Sequence, residues 1–412
     1  MSKKTYLFFA IALVGAALGL FYSGYSTSDF VAHLDRQLHP VSCSLLPGLT
    51  ETTMLEQGAE GCKVAMFSPY SSFWRDRYWG GVPWSLFAVG LFGFGLALSL
   101  WGIVSRKGHH LAVNIGLLLV AIAAVAASLA FFSISVSKLH EFCKTCVGTY
   151  IASGILALGA ALVFVSSIGD RRRSAEAGDK PSGTANIIAI LVVLAEMGLA
   201  TLLPVGLFLK TVPDYTKYIS ECGTLKSKED KNNVLIPIGK PAAQAGTESI
   251  LVVDPLCPAC AAFHKRIQDA PFASKMSFKV AILPLDAECN WMMTDSMHPG
   301  ACVLAKAMIC AKDKAGEILD WSYANQKDFR PKDKADNPSA RIRDAVLKAY
   351  PQVKDCLDSP DTKIALNKTL NWAVDQSLPV LTPQLYVNGA RLCDEDTDLG
   401  LDYAMTRLLG TK

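Results

Sequence analysis

Long apolar runs punctuate the first half of the chain and are absent from the second. They lie near Tyr6–Tyr22, Val82–Val104, Leu111–Val136, Phe142–Ile168 and Asn186–Leu209. Spanning about 30 Å of hydrocarbon as a helix takes roughly 20 apolar residues, so each run predicts a transmembrane helix. From residue 211 the pattern changes to short β-branched runs and segments of helical period, which predict a water-soluble α/β domain. The fold expected is therefore multi-domain. An all-α transmembrane bundle of four helices plus a fifth linking helix precedes an α/β domain that contains a helical insertion.

Charge orients the spans. Lys3 and Lys4 precede the first, Arg106 and Lys107 follow the second, and Arg171, Arg172 and Arg173 follow the fourth. The positive-inside rule places these alternate connections in the cytoplasm, with the N-terminus. Residues 23–81, the turn at 138–140 and everything after Leu209 then face outward. Trp74, Trp79, Trp84 and Trp101 fall near span ends, where interfacial aromatics collect. The basic start and apolar core of the first span also fit a secretory signal peptide, but no small-x-small cleavage site follows. Cleavage would leave every loop on the same side.

The whole-chain averages, 51% hydrophobic and 19% charged residues over 412 positions, hide these two unlike halves. The net charge of +3 is too small to point to a nucleic-acid partner. No internal repeat is visible, and the one biased segment is a basic linker around residues 171–184.

All twelve cysteines fall on the outer side or at its membrane surface in this topology. An even number on the oxidising side predicts disulfide chemistry. Two pairs have Cys-x-x-Cys spacing. In the soluble half, the apolar run Ile250–Val253 leads through Asp254 and Pro255 into Cys257-Pro258-Ala259-Cys260 and a helical pattern. That order sets Cys257 at a helix N-terminus, where free N–H groups favour thiolate, and makes Cys260 the resolving thiol. Two thiolates underfill a tetrahedral metal site, so a redox pair is the better reading and no metal is expected. Asp254 is either a strand-end turn residue or a proton acceptor for a thiol. A second strand is predicted at Phe278–Leu285, then mostly helix to about Gln376, then Thr382-Pro383, a strand, an Asn388-Gly389 turn and another strand.

Strand, CxxC, helix, strand, helical insertion, Thr-Pro and hairpin together resemble the thioredoxin fold in its DsbA-like branch, over about residues 234–409. The resemblance implies that Pro383 is the cis-proline beside the redox pair and that Thr382 and Pro383 bind extended substrate. The strongly oxidising branch has Pro-His between its thiols; Pro258-Ala259 stands here, so the resemblance carries no redox potential. The remaining cysteines of this half are structural disulfide candidates. Pairing Cys289 with Cys302, Cys310 with Cys356 and Cys222 with Cys393 is one of fifteen arrangements.

The second pair, Cys143 and Cys146 in Glu141–Tyr150 (EFCKTCVGTY), stands at the outward end of the fourth span. The outer loop carries Cys43 and Cys62, followed by Ser68-Pro69-Tyr70-Ser71 and then Gly81-Val82-Pro83 entering the second span. A loop pair, Ser-Pro-Tyr-Ser, Gly-x-Pro and CxxC-x-x-x-Tyr in this order resemble the vitamin K epoxide reductase family, over about residues 5–168. Its bacterial members are often fused to a thioredoxin-like domain behind a fifth helix. The expected domains are thus residues 1–170 as the four-helix domain, 171–233 as linker, fifth helix and outer linker, and 234–412 as the thioredoxin-like domain.

The resemblance implies a quinone-dependent thiol oxidoreductase. Cys146 meets the quinone ring, Cys143 receives electrons by exchange with Cys62, and Cys43 accepts them from Cys257/Cys260. Tyr150 matches the quinone-site tyrosine, and Ser68, Ser71 and Ser72 are candidate polar contacts. The expected setting is the bacterial inner membrane, with the thioredoxin-like domain periplasmic. Reduced exported or periplasmic proteins would be the electron source, and the ubiquinone or menaquinone pool of the bilayer the acceptor. Two features depart from the family: the loop cysteines are widely spaced, and Trp74–Trp79 (WRDRYW) looks inserted near the quinone pocket. Lys144 either lowers a thiol pKa or marks the interface, and His140 either shuttles protons or is solvated. Glu196, mid-span, is read as a protonated carboxyl bonded to a neighbouring helix rather than as a proton relay.

Two other classes compete. A membrane-anchored thioredoxin-fold isomerase or chaperone would leave Cys43, Cys62, Cys143 and Cys146 without a role. A carrier moving reducing power outward would need a thiol reachable from the cytoplasm, and the topology provides none.

Overall fold

The computed structural model describes residues 3–37, 41, 43–45, 60–105, 111–176, 183–219, 221–239, 246–331 and 336–410. Arg106 and Lys107, two of the residues that orient the spans, lie outside these. The chain divides into two compact units, Met1–Asp214 and Tyr215–Lys412.

In the first unit, α1 (Lys3–Ala32), α3 (Trp84–Val104), α4 (Leu111–Ile134), α5 (Lys144–Glu176) and α6 (Gly183–Leu209) are long and apolar. All five are long and apolar enough to cross a membrane. The short helix α2 (Glu60–Phe67) and the two-residue strands β1 (Ser72–Phe73) and β2 (Val82–Pro83) lie between α1 and α3. The core of the bundle runs through Phe9, Ala12, Ala16, Phe92, Leu117, Val120, Leu156 and Val163. Small residues set how closely the helices meet, because packing, not hydrophobicity, holds helices together in lipid. A Cβ on Gly15 would collide with the backbone of Leu156, and one on Gly159 with that of Ala12. The fifth span packs on α3 and α4 through Val193, Ile190, Met197 and Ala200.

Two helices exceed their apolar runs. At about 1.5 Å per residue the 30 residues of α1 extend about 45 Å, well beyond the hydrocarbon. Its last turns (Ser23–Ala32) bring polar side chains into the helix; Ser23 and Thr27 hydroxyls bond back to Gly19 and Ser23 carbonyls. Helix α5 likewise runs past Ile168 to Glu176.

Glu196 differs from its expectation. It is exposed on α6 and, among the described residues, has no hydrogen-bond or ion-pair partner on a neighbouring helix. The reason is register: Val193, Met197 and Ala200 take the packed stripe, and Glu196 falls to its side.

The second unit is built on a five-stranded mixed sheet in the order β3 (Ile236–Pro237), β5 (Met276–Ile282), β4 (Thr247–Val253), β6 (Gln384–Val387), β7 (Ala390–Arg391). β4 and β5 are parallel, and β3, β6 and β7 pair antiparallel to their neighbours. Parallel pairing requires a crossover, supplied by α7 (Pro258–Asp269). Helices α8 (Ala301–Cys310), α9 (Ala315–Ala324), α10 (Gln326–Phe329), α11 (Pro338–Ala349) and α12 (Pro360–Asp375) form the insertion before β6. Helix α13 (Leu401–Leu408) closes the unit. Asn388 and Gly389, at φ 51° and 87°, form the tight turn from β6 to β7. Disulfides join Cys222 to Cys393, Cys289 to Cys302 and Cys310 to Cys356. The stretch after α6 packs against the sheet: Thr224 bridges Ala390, and Leu225, Val234 and Leu235 enter the core.

Candidate redox sites

The soluble unit holds Cys257 and Cys260 as buried free thiols at the end of β4. Cys257 caps α7, and its sulfur accepts the backbone N–H of Cys260 at 3.3 Å. Its thiol lies 3.6 Å from the carbonyl of Thr382, at the cis Thr382–Pro383 bond. The hydrogen bond from the Cys260 thiol, joined by the nearby Thr382 side chain and the N–H of the helix terminus, holds the Cys257 pKa down at about 6 against the opposing effect of burial. Burial first, then the neighbouring Cys257 thiolate, pushes Cys260 well above the ordinary thiol range. One thiol is poised to ionise and the other to stay protonated.

The insertion grips the loop that carries this pair. Ser322 donates to the Pro255 carbonyl at 3.0 Å, and Gln326 Nε2 to that of Cys257 at 3.1 Å. The Tyr323 hydroxyl donates to the Asp254 carbonyl at 3.5 Å. Asp254 itself is fully buried. Its carboxylate accepts the N–H groups of Leu256 and Leu285, both at 2.6 Å, and Nδ1 of His298 at 3.0 Å. Burial works against the imidazolium, yet the Asp254 carboxylate keeps the His298 pKa above its usual value. Asp254 is thus a structural anchor for the loop as well as a neighbour of the thiols. The cis-proline segment is fixed in turn by Gln384, whose amide donates to Pro379 and Leu381 carbonyls at 3.0 and 2.6 Å.

In the first unit Cys143 and Cys146 are free thiols, Cys143 buried and Cys146 partly exposed. The local geometry repeats that of the soluble pair: the N–H of Cys146 points to the Cys143 sulfur at 3.2 Å where α5 begins. Cys43 and Cys62 are joined as a disulfide. Helix α2, which carries Cys62, reaches the start of α5: a Cβ on Gly61 would collide with the carbonyl oxygen of Phe142. Cys62 and Cys143 are the next residues along each chain segment. On the other side of α2, Phe67 packs edge-on against His33 at 5.8 Å, and His33 Nδ1 donates to the Asp29 carbonyl at 2.7 Å.

Tyr150 follows Cys146 by one helical turn and so shares its face. Its ring meets Phe132 at 6.3 Å, and Phe132 meets Phe142 at 6.1 Å. A second aromatic group joins α3 and α4 at this end, with Phe73–Trp84 at 5.0 Å and Trp84–Phe131 at 6.3 Å. A partly exposed thiol beside aromatic rings at the end of a lipid-facing bundle fits a planar, lipid-soluble ring.

The three serines near this end are tied locally. Ser68 donates to the Ala65 carbonyl at 2.8 Å, Ser71 to Ser68 at 3.0 Å and Ser72 to Gly80 at 2.7 Å. Their protons are engaged, which leaves only oxygen lone pairs for a ligand. The Trp74–Trp79 segment folds back over them: Arg75 is buried and donates to the Ser68 carbonyl at 2.6 Å, and Trp79 is buried in the unit. His140 and Lys144 are exposed, and His140 turns the chain at φ 54° between α4 and α5.

Sequence reading missed His298, Ser322 and Gln326, which lie in irregular or helical sequence with no local motif. It also missed Gly61, whose only signal was its place beside Cys62. Residues 10–161 match the vitamin K epoxide reductase family, and residues 231–404 match a thioredoxin family. No curated protein and no solved structure matches the chain.

Proposed function

The chain carries a vitamin K epoxide reductase family domain followed by a thioredoxin-fold domain, and from that premise we propose that it oxidises dithiols of exported proteins and passes their electrons to membrane quinone. One observation carries the reading. Two CxxC pairs, each with its first sulfur at a helix N-terminus, share a chain with a loop disulfide whose helix abuts the residue before Cys143.

The proposed cycle starts with a disulfide between Cys257 and Cys260. A substrate thiolate attacks Cys257, expelling Cys260; the second substrate thiolate then attacks its partner sulfur and expels Cys257. The substrate gains a disulfide, and its two electrons rest on the Cys257/Cys260 dithiol. The low pKa of Cys257 makes it the better leaving group. Cys257 next attacks Cys43, releasing Cys62, and Cys260 resolves the mixed bond. Cys62 attacks Cys143, releasing Cys146, and Cys43 attacks Cys62 to restore the loop disulfide.

Quinone, when bound, supplies a lipid-soluble acceptor for two electrons and two protons. Cys146 presents the reacting sulfur, and Cys143 closes on it to regenerate the disulfide. Tyr150, Phe132 and Phe142 orient a planar ring and exclude water. The proposed orientation puts Lys3, Lys4, Arg106, Lys107 and residues 171–173 in the cytoplasm of a bacterial cell, and the soluble unit on the outer side.

The test is anaerobic quinone reduction by the purified full-length chain in detergent, fed by a reduced dithiol protein. Ubiquinone and menaquinone analogues are tried in turn, with Cys146→Ser alongside. Consumption by the wild type and none by the variant is the expected result. If neither quinone is consumed while Cys257/Cys260 still exchanges disulfides, the helices are an anchor and the proposal fails.

A further inference from the structure

Helix α2 has eight residues and carries Gly at its second position, where alanine would be the better helix former. The position is not open space: an added Cβ would overlap the Phe142 carbonyl oxygen and lie 3.1 Å from its carbon. The obstacle is backbone, which no rotamer change can clear. Gly24 and Gly154, by contrast, have nothing within 4 Å of an added Cβ, while Gly15, Gly90 and Gly159 meet backbone where the long helices cross. Gly61 also immediately precedes Cys62, and Phe142 immediately precedes Cys143.

We infer that Gly61 is a positioning residue for electron transfer inside the membrane unit: its missing side chain lets α2 touch the start of α5, and so sets Cys62 within attacking reach of Cys143. The inference rests on the thiol route proposed above. In the step concerned, the Cys62 thiolate forms a bond to Cys143 Sγ, the Cys143–Cys146 bond breaks, and Cys146 leaves as thiolate. Ordinary contact begins near 3.4 Å, so alanine at 61 must part the two backbones by about 1 Å. A misplacement of that size costs on the order of 100-fold in a step that depends on alignment.

The experiment uses the full chain carrying Cys43→Ser and Cys146→Ser, which leaves Cys62 and Cys143 to form one trapped disulfide under mild oxidation. Its formation is followed by peptide mass. Gly61→Ala should slow it about 10- to 100-fold, and Gly154→Ala should leave it unchanged. A two-carbon bis-methanethiosulfonate linker, whose reach absorbs the extra separation, should join the two cysteines equally well with Gly or Ala at 61. In the chain with all its cysteines, Gly61→Ala should lower dithiol-driven turnover by the same factor without moving the KM for quinone. Equal rates of trapping with Gly or Ala overturn the inference alone. Failure of the linker in Gly61→Ala also overturns it, because the helix has then lost its place altogether. Failure of Cys62 and Cys143 to pair when Gly61 is present overturns the proposed route itself.

Discussion

The acidity of Cys257 can be worked through to a measurable potential. A free cysteine titrates near about 8.5, and this one is held at about 6, chiefly by the Cys260 thiol and then by Thr382 and the helix terminus. A depressed pKa stabilises the reduced, folded state fully above about pH 8.5, and the gain fades as pH falls through about 6. At about pH 7 it amounts to roughly 1.4 kcal/mol, which is about 30 mV toward a stronger oxidant. Replacing Cys260 by alanine removes the largest support and leaves the backbone N–H and Thr382. A hydrogen bond to a charged group contributes about 1.5–3 kcal/mol, so the midpoint should rise by about 1–2 pH units. The assay is the rate of iodoacetamide labelling of Cys257 in the reduced full-length chain, read by peptide mass between about pH 4 and pH 10. A wild-type midpoint at about 8 or above, or one unmoved by Cys260→Ala, would refute the assignment.

Two further predictions concern the soluble unit. The folded pKa of His298 is raised, so its pairing with Asp254 stabilises the fold below about pH 6.5 and is lost as pH rises through the folded value. With Cys257 and Cys260 oxidised, and so silent, thermal melts should show stability falling across that window, and His298→Gln should flatten the slope; an unchanged slope would assign it elsewhere. Removing the Cys310–Cys356 disulfide with paired serines frees a loop of 46 residues and should cost about 4 kcal/mol on the chain-entropy estimate. Calorimetry should show the melting temperature of that unit drop, and a shift below about 1 kcal/mol would mean the insertion is held by packing alone.

The five spans and the strand–CxxC–helix order were readable because their signals are local: apolar runs in one case, a β-branched run and a helix cap in the other. Span ends were less readable. Hydropathy stops at Tyr22, but a helix already nucleated continues through Ser26, Thr27 and Asp29 at small cost per residue. Farther from reach was the grip on the active loop. Ser322 and Gln326 meet Pro255 and Cys257 across 67 and 69 residues, and nothing in their own neighbourhood marks them. Gly61 shows the same limit at shorter range. A glycine inside a helix announces a close approach, but the carbonyl it approaches is known only once α5 is in place.

The three disulfides that brace the soluble unit have a consequence for how the molecule comes into being. If the chain makes disulfides for other proteins, as proposed, then a chain whose donor domain carries three of its own would be one of its own clients. Newly made copies would then mature fastest where finished copies already stand. A cell depleted of the protein and then allowed to make it again should recover with a lag followed by acceleration, not in simple proportion to synthesis. The capacity would pass from one generation of molecules to the next by contact, as an inheritance that the gene alone does not carry.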